Sequence, residues 1–111
     1  MSEETISARQ LIGDIAPRLA ELTDDLLFGD VWERSPLSKR DRSMITVAVV
    51  AALYRTNEMP FHIERALSNG VTREEVIELF THLAFYAGWP SAMTGVRIAR
   101  QVFAKQDGRG S

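Results

Sequence analysis

With 111 residues, 45% of them apolar and 25% charged, the chain has the composition of one globular domain, because a single core is not usually divided below about 150 residues. A net charge of −2 from 13 basic and 15 acidic residues leaves no basic footprint of the kind a phosphate backbone attracts, so nucleic acid is not an expected partner. There is no cysteine, which excludes disulfides, thiol redox chemistry and thiolate metal sites.

Residues 1–8 are polar and acidic, with neither a basic start nor an apolar centre, and do not read as a secretion signal. The first few residues, about 1–5, and 106–111 at the other end, with Gly108 and Gly110, read as frayed ends of a single domain covering 1–111. Ile6, Leu11, Ile12 and Ile15 mark a short amphipathic helix that Pro17 stops. Pro17 suits the first turn of a second helix carrying Leu19, Leu22, Leu26 and Leu27, with Gly29 at its end. A polar and aromatic loop over 30–37 holds Trp32, Arg34 and Pro36.

Ser38 followed by Asp41 resembles a capping box and opens a third helix into the apolar run 44–53. That run is too short for a membrane span, which needs about 20 residues, so no membrane partner is expected and the location is expected to be cytoplasmic. A helix apolar on every side must be surrounded by protein, and so small a domain has few elements to surround it with. A homo-oligomer is therefore expected, with neighbouring subunits completing the cover.

A fourth helix is predicted from about Asn57, with Asn57 as N-cap and Pro60 harmless in the first turn. Asn69 and Gly70 stop it. Thr72 with Glu75 is a capping box for a fifth helix to about Ala87, whose inner stripe is Val76, Leu79, Phe80, Leu83 and Ala87. Gly88 ends that helix, and a last one starts at Pro90 or Ser91 and runs to about Lys105, with Val96, Ala99, Val102 and Phe103 inward. With no period-two segment, no Gly-rich phosphate loop and no internal repeat, the expected class is all-α with about six helices.

Both histidines have a glutamate four positions earlier: Glu58 before His62, and Glu78 before His82, which also shares a stripe with Tyr86. A carboxylate one turn away holds an imidazole in one tautomer and raises its basicity, which suits proton transfer near neutral pH. The same spacing is also that of an ordinary surface pair worth a few tenths of a kcal/mol. A metal reading fits less well, since di-metal sites in helix bundles use Glu-x-x-His, whereas three residues intervene here; no metal or cofactor is expected. Arg34, Arg40, Arg42 and Arg55 flank the apolar helix and can receive carboxylate or phosphate, or simply cover helix ends. Trp32, Phe61, Phe85, Tyr86 and Trp89 can line a pocket or serve as core.

Phe28-Gly29-Asp30-Val31-Trp32, Leu37-Ser38 and Arg40-Asp41-Arg42-Ser43 resemble the opening of the carboxymuconolactone decarboxylase family, within the wider alkylhydroperoxidase D-like group. Asn69-Gly70-Val71-Thr72-Arg73-Glu74-Glu75 and the run from His82 through Tyr86 to Trp89-Pro90 resemble its second half, and the likeness covers about 17–103. The resemblance implies a small all-α subunit assembling as a trimer or hexamer. The peroxidase branch places Cys-x-x-Cys ahead of a histidine four residues on, and counting back from His62 finds Arg55 and Glu58 at those positions. Neither forms a thiolate, so peroxiredoxin-like and disulfide-reductase activity is excluded.

The decarboxylase branch acts without a cofactor on 4-carboxymuconolactone, in aromatic catabolism. The resemblance accordingly implies a small carboxylated substrate, with Arg42 or Arg55 receiving carboxylate, His62 or His82 delivering the proton or contacting the oxyanion, and Glu58 orienting His62 or sharing its proton. Phe61 and Trp89 are the expected apolar walls, and Tyr86 is expected among the substrate-binding residues. Two alternatives stand beside this: a non-catalytic binding or assembly module of the same fold, and a related cofactor-free lyase or isomerase acting on another lactone or keto acid.

Overall fold

The computed structural model describes residues 6–110, with side chains through 108, so the fraying expected over 1–5 and at 111 lies outside the described residues. The described residues are helical and contain no strand, and among them no helix is long and apolar enough to cross a membrane. The chain divides after Ser38 into two compact units.

The first unit holds α1 (Ala8–Ile12) and α2 (Pro17–Glu21). Ser7 and Gln10 cap α1 reciprocally, Ser7 Oγ accepting from Gln10 N and Gln10 Oε1 from Ser7 N at 2.9 Å. The Asp24 carboxylate accepts from the amides of Ala8 (2.9 Å) and Arg9 (3.1 Å), so α1 has its open N–H groups satisfied from outside its own sequence. The Arg9 guanidinium forks onto Asp25 at 3.1 and 2.8 Å. Beyond α2 the expected helix continues to Phe28, but with the wider i→i+5 bonding over Leu22–Phe28, entered where Thr23 Oγ1 donates to Leu19 O at 2.8 Å. A 3-10 turn, Val31–Glu33, follows and carries the buried Trp32, whose ring lies 6.1 Å from that of Phe28.

The second unit comprises α3 (Lys39–Ala52), α4 (Met59–Ser68), α5 (Arg73–Ala87) and α6 (Trp89–Gly110). Its core is Val47, Ala51, Met59, Ile63, Ala66, Val71, Val76, Phe80, Ala99 and Val102. The most extensive packing is α5 on α6, and it is antiparallel: Arg73 at the start of α5 binds Asp107 near the end of α6 at 2.7 Å, while Phe80 meets Gly95. A Cβ on Gly95 would lie 2.4 Å from the Phe80 ring, so only glycine lets these helices approach so closely. The Arg40–Glu75 ion pair ties the first turn of α3 to that of α5. Buried Ser43 accepts from Asn69 Nδ2 at 2.9 Å, joining the start of α3 to the end of α4.

The capping box of Thr72 and Glu75 is present, with both bonds at 3.0 Å. Two helices end in the same motif. After α4, Val71 N donates to Ala66 O (2.9 Å) and Gly70 N to Leu67 O (3.1 Å), with Gly70 at φ +100. After α3, Arg55 N donates to Val50 O (2.7 Å) and Tyr54 N to Ala51 O (3.0 Å), and the left-handed position is taken by Tyr54 at φ +60, an uncommon place for a bulky residue. The Tyr54 hydroxyl lies 3.1 Å from Thr94 Oγ1 on α6. Two boundaries differ from the expected ones. Helix α6 begins at Trp89 directly after Gly88 and runs on past Lys105 to Gly110. Helix α4 has Glu58, not Asn57, at its N-cap, already in helical conformation and making no side-chain cap bond.

Candidate active site

Met59, Ile63 and Ala66 give α4 its buried stripe, and Pro60 sits in its first turn as expected. Beside that stripe runs another, Glu58, Phe61, His62 and Arg65, at positions i, i+3, i+4 and i+7 and hence on one flank of the helix. The flank starts where α3 has just ended, because Arg55 O accepts from the amides of Glu58 (3.1 Å) and Met59 (3.2 Å).

His62 is half-buried, and the edge of its ring meets that of Phe61 at 5.0 Å and 77°. Arg65 is also half-buried, with Cζ 5.9 Å from the centroid of the same Phe61 ring. Burial pushes the His62 imidazole below its ordinary range, and the nearby Arg65 charge pushes it further the same way. Glu58 acts in the opposite sense and is outweighed. Glu58 does act to make His62 more basic, as expected, but desolvation and the neighbouring Arg65 cation together outweigh it, so the net shift is downward. The shift favours the neutral imidazole, which can donate one hydrogen bond, accept another and take up a proton.

Of the two arginines expected to receive carboxylate, Arg55 adjoins this flank, and its exposed guanidinium makes no hydrogen bond or ion pair among the described residues. Arg42 is half-buried near the other end of α3, about 15 Å of helix away. The Glu58 carboxylate is exposed and reaches His62 through charge alone; the bond between the two residues is His62 N donating to Glu58 O at 3.2 Å.

The α5 face is different. His82 is exposed and stacks on Tyr86 at 5.0 Å and 26°, as the four-residue stripe implied. Phe85 meets Trp89 edge-on at 5.1 Å, and Tyr86 and Trp89 are 79% and 56% exposed. Helices α4 and α5 both pack on α3 and α6 but share no extensive contact; Glu58, Phe61, His62 and Arg55 lie at or near the start of α4, and His82, Tyr86 and Trp89 lie on α5 and the start of α6. Among the described residues no three His, Asp or Glu side chains gather as a metal site.

Arg65 was not among the sequence candidates. The signal for it was the i+7 position counted from Glu58, one turn beyond the Glu/His pair itself.

The sequence model of the Carboxymuconolactone decarboxylase family matches residues 17–101. The chain is 40% identical over 76 residues to a 4-carboxymuconolactone decarboxylase of Acinetobacter baylyi, covering 68% of this chain and 57% of that protein. It is 31% identical over 81 residues to a nitrosuccinic acid decarboxylase of Metarhizium robertsii, covering 73% of this chain and 57% of that one. An uncharacterized 15.0 kDa protein of Paracoccus denitrificans is 24% identical over 85 residues, 75% of this chain and 63% of its own. The chain thus spans little more than half the length of these relatives.

Proposed function

The chain belongs to the carboxymuconolactone decarboxylase family, and from that premise we propose that it is a decarboxylase acting, without a cofactor, on a carboxylated lactone or related small acid. The two named relatives support the reaction class: one is named for a carboxylated lactone and the other for a nitro-substituted succinic acid. Each such molecule carries its own electron acceptor. When the C–C bond to a lactone-conjugated carboxylate breaks and CO2 leaves, the bonding pair spreads onto the lactone carbonyl as a dienolate. One proton delivered to carbon then completes the reaction. The protein must hold the carboxylates, stabilise the oxyanion and supply that proton, tasks worth about 3 kcal/mol for one oxyanion donor and about 10²- to 10⁴-fold for a positioned acid.

His62 carries the reading: a half-buried imidazole held below its ordinary pKa range, beside an aromatic wall, one turn from a carboxylate, on a flank adjoining a cation. In this assignment the His62 N–H contacts the developing oxyanion or passes on a proton shared with Glu58. Arg55 holds a carboxylate, in preference to Arg42 at the far end of α3, and Phe61 shields the reacting carbon from water. His82, Tyr86 and Trp89 belong to the same proposal as a second surface completed by assembly. The stripe Ile45, Val49 and Leu53 on α3 is about half exposed, as are Trp89 and Met93, and this supports a homo-oligomer, trimer or hexamer, covering them.

The test is CO2 release from a panel of carboxylated lactones and nitro-substituted diacids, comparing the protein with its His62→Gln variant. Release that disappears with His62→Gln is expected. No release from any panel member would instead favour a binding or assembly module of the same fold.

A further inference from the structure

The corner between α3 and α4 is built on a residue that the proposed reaction has not used. Tyr54 takes the left-handed position of the stop motif after α3, at φ +60, where Gly70 takes the same position after α4 at φ +100. A residue with a Cβ is strained there and glycine is not, so the turn alone is better served by glycine in both places. The Tyr54 side chain is 53% exposed and gains little from burial. Its hydroxyl crosses to α6 and lies 3.1 Å from Thr94 Oγ1, an oxygen that also accepts from Arg97 at 3.4 Å. Water competes for both partners of an exposed hydroxyl pair, so this contact adds little to stability. What it does fix is the direction in which the chain leaves α3, and a strained backbone persists only where its surroundings hold it in place.

The start of the candidate site hangs on that turn. Arg55 follows Tyr54 directly and donates to Val50 O at 2.7 Å. Arg55 O accepts from the amides of Glu58 (3.1 Å) and Met59 (3.2 Å), and Glu58 O accepts from His62 N (3.2 Å). These backbone bonds run without a break from the end of α3 to His62. A change in the Tyr54 dihedrals therefore swings Arg55 and the Glu58 end of α4 together, while the buried stripe of Met59, Ile63 and Ala66 resists the motion from the core side.

We propose that Tyr54 is a positioning residue for this site: its hydroxyl contact with Thr94 holds the left-handed backbone in one setting, and that setting fixes where Arg55 and Glu58 stand relative to His62. The claim rests on the proposed decarboxylase reading for what the site does, while the positioning itself is read without turnover. The experiment compares the protein with Tyr54→Phe, Thr94→Val, their double variant and Tyr54→Gly, by urea unfolding, by NMR of the His62 ring and of amide exchange at Glu58 and Met59, and by CO2 release from the substrate panel. Tyr54→Phe and Thr94→Val each remove the hydroxyl contact and little else. Each is expected to speed exchange at Glu58 and Met59 and to move the His62 ring signals more than those of His82. Each should also lower kcat about tenfold, with the double variant no worse than either alone. Tyr54→Gly should lower kcat in the same way with a urea midpoint at or above that of the wild type, because the strain leaves with the side chain. Unchanged exchange and His62 signals in Tyr54→Phe and Thr94→Val overturn the proposal, as do losses that multiply in the double variant. A lower midpoint for Tyr54→Gly with kcat intact makes the side chain a structural peg and overturns it as well. If the NMR changes stand and no form releases CO2 from any panel member, the decarboxylase reading falls and Tyr54 still sets the α4 flank. Equal CO2 release from all forms keeps that reading and removes Tyr54 from it.

Discussion

Two segments of this chain share one pattern, Glu58-x-x-x-His62 and Glu78-x-x-x-His82, and the fold treats them differently. On α4 the imidazole is half-buried, edge-on to Phe61 and within reach of the Arg65 charge; on α5 it is exposed and stacked on Tyr86. Spacing along a helix decides which side chains can meet, whereas the protein packed around them decides the electrostatics. A glutamate one turn before a histidine therefore says little about basicity until the neighbours on other turns are known, and at His62 the neighbours reverse the expected sign.

The most direct way to break the comparison is to remove each imidazole in turn. His62→Gln is expected to lower turnover on a competent substrate by about 10²- to 10⁴-fold, the contribution of a positioned acid or base. His82→Gln, on the open face, is expected to cost about tenfold or less, with the oligomeric state of both variants checked by light scattering. An equal loss at both positions would mean that the α5 face belongs to the same reacting centre.

The α5 face can also be disturbed from behind. Gly95→Ala forces a methyl group into the Phe80 ring, and overpacking of this kind costs about 1–3 kcal/mol, read from urea unfolding. The strain falls on the α5–α6 contact, so the NMR signals of His82 and Tyr86 should move more than those of His62. The reverse order would show that α4, not α5, yields to the inserted methyl.

The electrostatic half of the comparison is read by titration. The His62 pKa in the folded protein lies below the ordinary imidazole value of about 6.5, so between the two values the unfolded chain binds more protons than the native one. Stability from this residue is complete above about pH 6.5 and is lost as pH falls from there through the folded pKa. His62→Gln should flatten that part of the pH–stability curve. By NMR, Arg65→Gln should raise the His62 pKa and Glu58→Gln should lower it further. A rise on removing Glu58 would show that the carboxylate acts on His62 through something other than its charge.

Much of this architecture was legible in the residues. The helices after Ser38 follow apolar stripes and stop signals, and the Thr72/Glu75 box and the Asn69-Gly70 stop are in place because short-range hydrogen bonds set them. What escaped has identifiable causes. Tyr54 takes the left-handed position that Gly70 takes one helix later, and a tyrosine gives no local sign of it, since its hydroxyl contact with Thr94 is long-range. The wide turns over Leu22–Phe28 carry the same leucine spacing as an ordinary helix. Arg65 was passed over because pairing was counted only to i+4, and the burial that contributes most to the His62 shift is a tertiary property that no spacing on α4 encodes.

The smallest expected effects separate capping from chemistry at the starts of the same two helices. Thr72 accepts from Glu75 N at 3.0 Å and supports the first turn of α5, so Thr72→Ala should cost about 1 kcal/mol, seen as a lower urea midpoint with an unchanged slope. Glu58 holds the equivalent place on α4 but makes no cap bond and already has φ −92 and ψ −16. Glu58→Ala should therefore leave stability within about 0.5 kcal/mol while lowering turnover, because its carboxylate serves His62 and not the helix. If Glu58→Ala instead destabilises as much as Thr72→Ala with turnover intact, the residue is a structural start signal for α4, and the proton-sharing role falls to another group.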